Sequence, residues 1–350
     1  MTNSEIARQR LFNQNIASQS FKKPAEIVRH MGAVQAQDYA GAKWAVGMRL
    51  QKSKDAAIDK ALANGSIIRT HVLRPTWHFV TPADARWMIE LTAPRINILA
   101  AGRHRQLKLD SKTLKLSNDI LAGALDGKKQ LTRLELQDAL HKAGINTDEQ
   151  RFVHILMQAE LDKVICSGGR QGKQFTYALF DKRVPKGNDF THDEAVAELV
   201  KRYFISRGPA TLQDFTWWSG LSVADAKNGL EASKGELDGI EINGLTYWMA
   251  KNQSPINSKA PLAHLLPAYD EFAVAYSDRT AIINPKYVTQ AKYVIFAPSI
   301  VANNQVVGTW KRTIKKNEVE VVLEPFGKFN KAQTTAVEAA VKRYQRFVIG

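Results

Sequence analysis

The spacing of apolar side chains switches between a helical and an alternating period in an order that repeats along the chain. The middle shows it most clearly. Residues 116–125 (LSNDILAGAL) and 131–145 (LTRLELQDALHKAGI) have amphipathic helical spacing, the second ending at Gly144. In residues 147–163 (TDEQRFVHILMQAELDK), Phe152, Ile155, Leu156 and Ala159 form one helical stripe, and Thr147 with Gln150 three residues later predicts a capping-box start. Two short β-rich runs follow, VICSGG and GKQFTYALF, with glycines between them, as expected of a hairpin. Three helices and then a hairpin is the order of a winged helix, a helix-turn-helix variant.

The order recurs downstream. DEAVAELVKRYFISRG, TLQDFTWWSGL and SVADAKNGLEASKG read as helices, and Asn243-Gly244 between alternating runs is a strong hairpin signal. An N-terminal copy consists of PAEIVRHMG, KDAAIDKALANG and the hairpin IIRTHVLRPTWHFV. Each hairpin closes with threonine and an aromatic: Thr76-Trp77, Thr176-Tyr177 and Thr246-Tyr247. The expected fold class is α+β, with three tandem winged-helix domains (1–100, 101–185, 186–258) and a C-terminal β-rich α+β region (259–350). Residues 183–188 and 252–259 have the composition of linkers. The last region is expected to hold a basic hairpin turning at Lys315-Lys316-Asn317, then a closing amphipathic helix. Trp310, Arg312 and Ile314 share one face of that hairpin, while Lys311, Thr313 and Lys315 share the other.

Charge narrows the function. Among 350 residues, 49 Lys and Arg stand against 34 Asp and Glu, a net charge of +15. Such a charge concentrates polyanions, nucleic acid foremost. From Arg95 to Arg133 nine basic residues face three acids, a focused segment. A single cysteine, Cys166, rules out an internal disulfide and reads as a small buried residue. With no secretory core in the first 20 residues and no long apolar run, a cytoplasmic protein off the membrane is expected. No cysteine pair, His-Glu-x-x-His or phosphate-cradling glycine motif is present, and His71 and His78, seven apart, suggest no metal site; no metal or cofactor is expected.

A sequence-reading repressor fits poorly. Its third helices would need arginine and asparagine for base edges. Asp148, Glu149, Glu160 and Asp162 outnumber Arg151 and Lys163 in one, and Asp225, Glu231, Glu236 and Asp238 outnumber Lys227 and Lys234 in another. A non-catalytic DNA-binding or regulatory protein is the alternative reading.

The stretch MGAVQAQD raises the catalytic question. If a helix ends at Gly32 and the chain then extends, Gln35 and Gln37 point to one side, with Asp38 opposite. Two amides there can hold a water between them, or can tie down loop backbone; spacing alone leaves both open.

MGAVQAQD resembles the signature of the winged-helix DNA glycosylases, bacterial enzymes that remove alkylated bases and unhook interstrand crosslinks. IIRTHVLRPTWHFV is similar to the family's Arg-x-Thr-aliphatic-His hairpin, HLLPAYDEFAVAYSDR to its Leu-Leu-Pro-x-Tyr-Asp-Glu block, and QVVGTWKR to its Gly-x-Trp-Lys/Arg strand. The motifs run in register over essentially the whole chain. The resemblance implies that Gln35 and Gln37 hold the water that attacks C1′ of the damaged nucleotide, and it agrees with three winged helices plus a β-rich region. It places a histidine at His78, assigned to DNA contact or site support. Arg69 and Arg74 flank that hairpin as phosphate-binding candidates, and Trp310, Lys311 and Arg312 are candidates to line a DNA channel. Tyr269, Asp270 and Glu271 are expected to be structural, as caps. The expected partner is double-stranded DNA carrying alkylated bases, bound by a monomer in the bacterial nucleoid.

Overall fold

In the computed structural model, which describes residues 1–127, 130–187, 189–253, 256, 263–315 and 318–350, the chain opens with helix α1 (Asn3–Asn13), capped by the Thr2 hydroxyl. Next come α2 (Pro24–Met31), the two-residue strand β1 (Val34–Gln35), α3 (Tyr39–Gly47), α4 (Asp55–Ala63) and the hairpin β2–β3 (Ile68–Val72, Arg74–Val80). Helix α3 is absent from the expectation above. YAGAKWAVG lacks a polar face, and Gly41 to Gly47 are all buried, so no amphipathic period announces it.

Helix α5 (Pro82–Gln106) spans 25 residues, so the expected domain boundary at 100/101 falls inside a helix. The second three-helix order follows: α6 (Ser111–Leu125), β4 (Leu131–Thr132), α7 (Arg133–Lys142), α8 (Arg151–Leu161) and the hairpin β5–β6 (Ile165–Gln171, Gln174–Leu179). The capping box expected at Thr147 does not form. Helix α8 starts at Arg151, Glu149 takes a positive φ of 52°, and the Thr147 hydroxyl bonds Gln137 and His141 of α7 instead. After the short α9 (Phe180–Arg183) come α10 (His192–Arg207), α11 (Leu212–Ser219), α12 (Val223–Ser233) and the hairpin β7–β8 (Leu237–Ile242, Leu245–Ala250). Its turn residues Asn243 and Gly244 both have positive φ, 51° and 78°, which the Asn-Gly pair permits. The C-terminal region holds β9 (Ala263–Leu266), α13 (Glu271–Val274), β10 (Ser299–Ala302), β11 (Gln305–Ile314), β12 (Val319–Pro325) and α14 (Lys331–Ile349). Lys316 and Asn317 of the expected basic turn lie outside the described residues, as do Asn188 and most of 252–259. The whole is mixed helix and sheet, its sheets small and antiparallel. No helix among the described residues is long and apolar enough to cross a membrane.

The chain divides into two compact units, one of Met1–Ile58 with Val196–Gly350, the other of Asp59–Ala195. In the second, Leu121, Leu125, Leu136, Leu140, Phe152 and Ile155 build a core behind a sheet of order β4-β6-β5. Cys166 is fully buried there, and burial pushes its thiol up to about 12. Arg95, Arg103, Arg105, Lys108, Lys112 and Lys115 of the basic segment are exposed on α5, α6 and the turn between them; Lys128 and Lys129 lie outside the described residues.

In the first unit, Tyr203, Phe204, Phe215 and Trp218 interlock within the α10–α12 bundle. A four-stranded sheet of order β12-β11-β10-β9 packs against α14. Two indoles fix neighbouring elements to β9: Trp44 of α3 donates to the Leu265 carbonyl at 2.7 Å, and Trp310 of β11 to that of Leu266 at 2.8 Å. Where α10 ends beside β8, a Cβ on Gly208 would stand 2.5 Å from the Phe204 carbonyl oxygen and 2.6 Å from that of Trp248.

Both atoms near Gly208 are backbone and cannot swing away, so Gly208→Ala should cost about 1–3 kcal/mol, read as a lowered melting temperature. Cys166 should resist iodoacetamide at pH 8 in the native protein and label fully on unfolding, as counted by mass spectrometry.

Candidate active site

The Gln-Ala-Gln segment lies on the loop from α2 to α3. Gly32 ends α2 with φ of 71°, a conformation that glycine adopts without strain, as the sequence predicts. Strand pairing covers only Val34 and Gln35; the chain bends at Gln37 and Asp38, and α3 begins at Tyr39. Gln35 is buried, whereas Gln37 is exposed.

A buried ion pair anchors this loop. Arg207, the last residue of α10, donates from Nη1 to the Met31 carbonyl at 2.6 Å and from Nη2 to that of Ala33 at 2.7 Å. The same guanidinium meets Glu271 Oε2 at 2.8 Å (Nη2) and 3.1 Å (Nε). Glu271 Oε1 accepts the Gln35 backbone N–H at 2.8 Å, and its Oε2 also accepts the Trp218 indole N–H at 3.0 Å. Both charged side chains are wholly buried.

Asp270, next in the chain, faces another arginine. Arg49 holds it by two bonds of 2.8 Å and donates further to the carbonyls of Ala45 and Gln14. Asp270 also caps α13 by accepting the Phe272 N–H at 2.9 Å. Of the three residues expected as caps, Asp270 forms one, whereas the Glu271 side chain pairs with Arg207. The Tyr276 hydroxyl donates to the Arg207 carbonyl at 2.7 Å, and burial pushes that phenol up to about 12, so it stays a donor. On α2, burial and the charges of Arg207 and Arg49 lower the pKa of His30, which favours the neutral ring; its Nε2 lies 2.7 Å from the Asn13 carbonyl oxygen and then carries the proton.

At the start of α3, Asp38 Oδ2 lies 3.4 Å from Arg312 Nη2 of β11. A Cβ on Gly41 would stand 2.6 Å from that carboxylate oxygen, so glycine makes room for it. Arg312 is half-buried and Lys311 exposed, paired with Glu324 at 2.5 Å. Trp310 is a correction: its side chain points inward into the core against Tyr344 and cannot line a DNA channel. Direct DNA contact by His78 is corrected likewise, because its side chain is fully enclosed and Nδ1 faces the Thr76 carbonyl at 3.0 Å. Arg69 is buried with its guanidinium over the rings of Trp77 and Phe175, 4.3 and 4.9 Å from their centroids; Arg74 is half-buried.

The sequence profile of AlkZ-like DNA glycosylases matches residues 28–347. The chain belongs to that family. Among its relatives is the interstrand DNA cross-link repair glycosylase of Streptomyces sahachiroi, 24% identical over 349 residues that cover 94% of this chain and 92% of the relative. The solved structure of the DNA glycosylase AlkZ from the same organism shares the fold, with a TM-score of 0.79, 21% identity, and coverage of 99% of this chain and 96% of that one. Within this AlkZ-like chain, Arg207, Arg49 and Gln14 are supports of the loop and its anchor that sequence reasoning missed. Arg207 sits in YFISRGPA as one more helix-end cation, and nothing local marks it as buried.

Removing one charge of the Arg207–Glu271 pair leaves the other buried alone, so Glu271→Gln and Arg207→Met should each cost about 3–5 kcal/mol. The double variant Arg207→Met with Glu271→Leu should cost less than the two single losses added together. Denaturant melts measure all three, and hydrogen exchange at the Gln35 amide should quicken in each.

Proposed function

We propose that the protein is a monofunctional DNA glycosylase that hydrolyses the N-glycosidic bond of cationic N7- or N3-alkylated purines in duplex DNA. The observation that carries this reading is the loop itself. It offers two neutral amides, one buried and one exposed, on backbone fixed by a buried ion pair. A purine alkylated at N7 or N3 leaves as a neutral base, so its departure needs no general acid. Water held by Gln35 and Gln37 need only be aimed at C1′. The motif holds no lysine to form a Schiff base, which favours hydrolysis over lyase chemistry.

Three tandem winged helices, acting as a monomer, are part of the proposal; the thrice-repeated order of helices and hairpin supports them. The cross-link repair for which the Streptomyces relative is named extends the proposed substrates to interstrand crosslinks. Lys311, Arg312 and Arg74 are the proposed phosphate contacts, and Arg69, stacked on Trp77, and His78 are supports of the hairpin that carries Arg74. The acids on α8 and α12 favour backbone and shape recognition over base reading.

In single-turnover assays on duplex containing N7-methylguanine, Gln37→Ala and Gln35→Ala should each slow excision at least about a hundredfold, the scale of a misplaced reacting group. DNA affinity should stay unchanged. Wild-type rates from both variants would refute the amide mechanism, and binding without excision of any alkylated base would refute the enzyme.

A further inference from the structure

A pocket in the first unit is unused by the proposed reaction. It opens between α14, the end of α3 and the segment that leads into α4, with a volume of about 860 Å³, in the range of small-molecule sites. Trp44 and Phe347 supply aromatic edges, and Leu50, Ala56 and Ala57 an apolar wall of mostly small side chains. Gly47 also belongs to the lining, and the Phe347 ring lies directly on it, so that a Cβ there would overlap Phe347 Cε2.

Four cations also line the pocket: Lys52, Lys54, Arg343 and Arg346. None of them pairs with a carboxylate among the described residues. The nearest acid in sequence, Asp55, is taken by Lys43 at 2.5 Å. Arg343 is more than half buried and spends one nitrogen on the carbonyls of Met48 and Leu50. Burial, and then the charge of Arg346, lower its pKa to about 10. Two neighbouring guanidiniums that repel each other, with two ammonium groups beside them, leave positive charge that an anion would neutralise.

We propose that this pocket binds a free nucleotide, its phosphates held by Lys52, Lys54, Arg343 and Arg346 and its base against Trp44 and Phe347. The aromatic edges and small-residue wall favour a free nucleotide over a duplex. A phosphate ridge can meet the cations but brings no flat apolar body to fill the concavity. The site stands independently of the excision reading. The two are joined by α3, which starts two residues after Gln37 and ends at Gly47 in the pocket lining, about 13 Å away along the axis.

Isothermal titration of the full chain with AMP and ATP tests the proposal, with adenosine as the phosphate-free control and Lys54→Glu/Arg346→Glu as the variant. Both substituted residues are exposed, and a thermal melt confirms that the variant folds. The expected result is saturable binding of AMP and ATP, weakened at least tenfold in the variant, with adenosine at least tenfold weaker than AMP. Three results would overturn it: no heat at millimolar nucleotide, equal binding by the variant, or equal binding of adenosine. If nucleotides fail to bind while the variant loses affinity for undamaged duplex, the cations belong to the DNA backbone and the nucleotide site is refuted.

Discussion

One guanidinium–carboxylate pair, Arg207 with Glu271, determines where the Gln-Ala-Gln loop lies. Taking two charges out of water costs several kcal/mol for each ion, and attraction within the pair alone need not offset that. The remaining bonds of the pair decide the balance. Arg207 satisfies the Met31 and Ala33 carbonyls, and Glu271 takes the Gln35 N–H and the Trp218 indole. A loop that leaves a helix for two residues of strand and then enters another helix has backbone groups that regular structure does not pair internally. An apolar replacement of equal volume would fill the space and leave three of those groups without these partners. The ion pair is therefore better understood as a fixture for loop backbone than as a source of net stability.

The neighbouring Asp270 extends the same logic. Adjacent residues on a capped turn point apart, so Asp270 faces Arg49 just beyond α3 while Glu271 faces Arg207 at the end of α10. Gln14 joins the network by accepting from Arg49 and donating to the Tyr276 hydroxyl. Segments far apart in sequence (the end of α1, the loop, the end of α3 and the end of α10) thus converge on two consecutive carboxylates. The bonds run to backbone carbonyls as well as to side chains, and that sets the register of each segment. A shift of the loop by one residue would break several of them at once, which is how a short irregular stretch is held to one conformation.

What could be read from the sequence followed from local rules. The Asn243-Gly244 turn, the helix stop at Gly32 and the hairpins carrying Thr76, Thr176 and Thr246 need only nearby residues, and each forms where its chemistry predicts. Failures came where a distant partner overrides a local preference. Thr147 would cap α8, but two side chains of α7 claim its hydroxyl. Helix α3 is buried on all sides and so lacks the polar face that reveals a helix. Alternation in β11 correctly puts Trp310 opposite Lys311, yet it cannot say which face is the core. The sheet and α14 settle that by enclosing the indole. Arg207 is the largest omission, since a buried arginine at a helix end looks in sequence like any other last-turn cation.

The charges of this anchor bear on the proposed chemistry. Arg10 with Asp214, Arg49 with Asp270 and Arg207 with Glu271 cancel in pairs, and all six side chains are buried. The loop therefore inherits little net charge from the cluster that fixes it, although the chain carries +15 overall. The excess is displayed elsewhere, including the exposed cations of α5 and α6, where it can draw in DNA over distance. A loop of neutral amides on a charge-balanced support does not repel a purine that already bears a positive charge. A lysine or arginine at Gln35 or Gln37 would. On this reading the glutamines suit a cationic base for the same reason that they would serve poorly for a neutral one: they neither oppose its charge nor supply a proton.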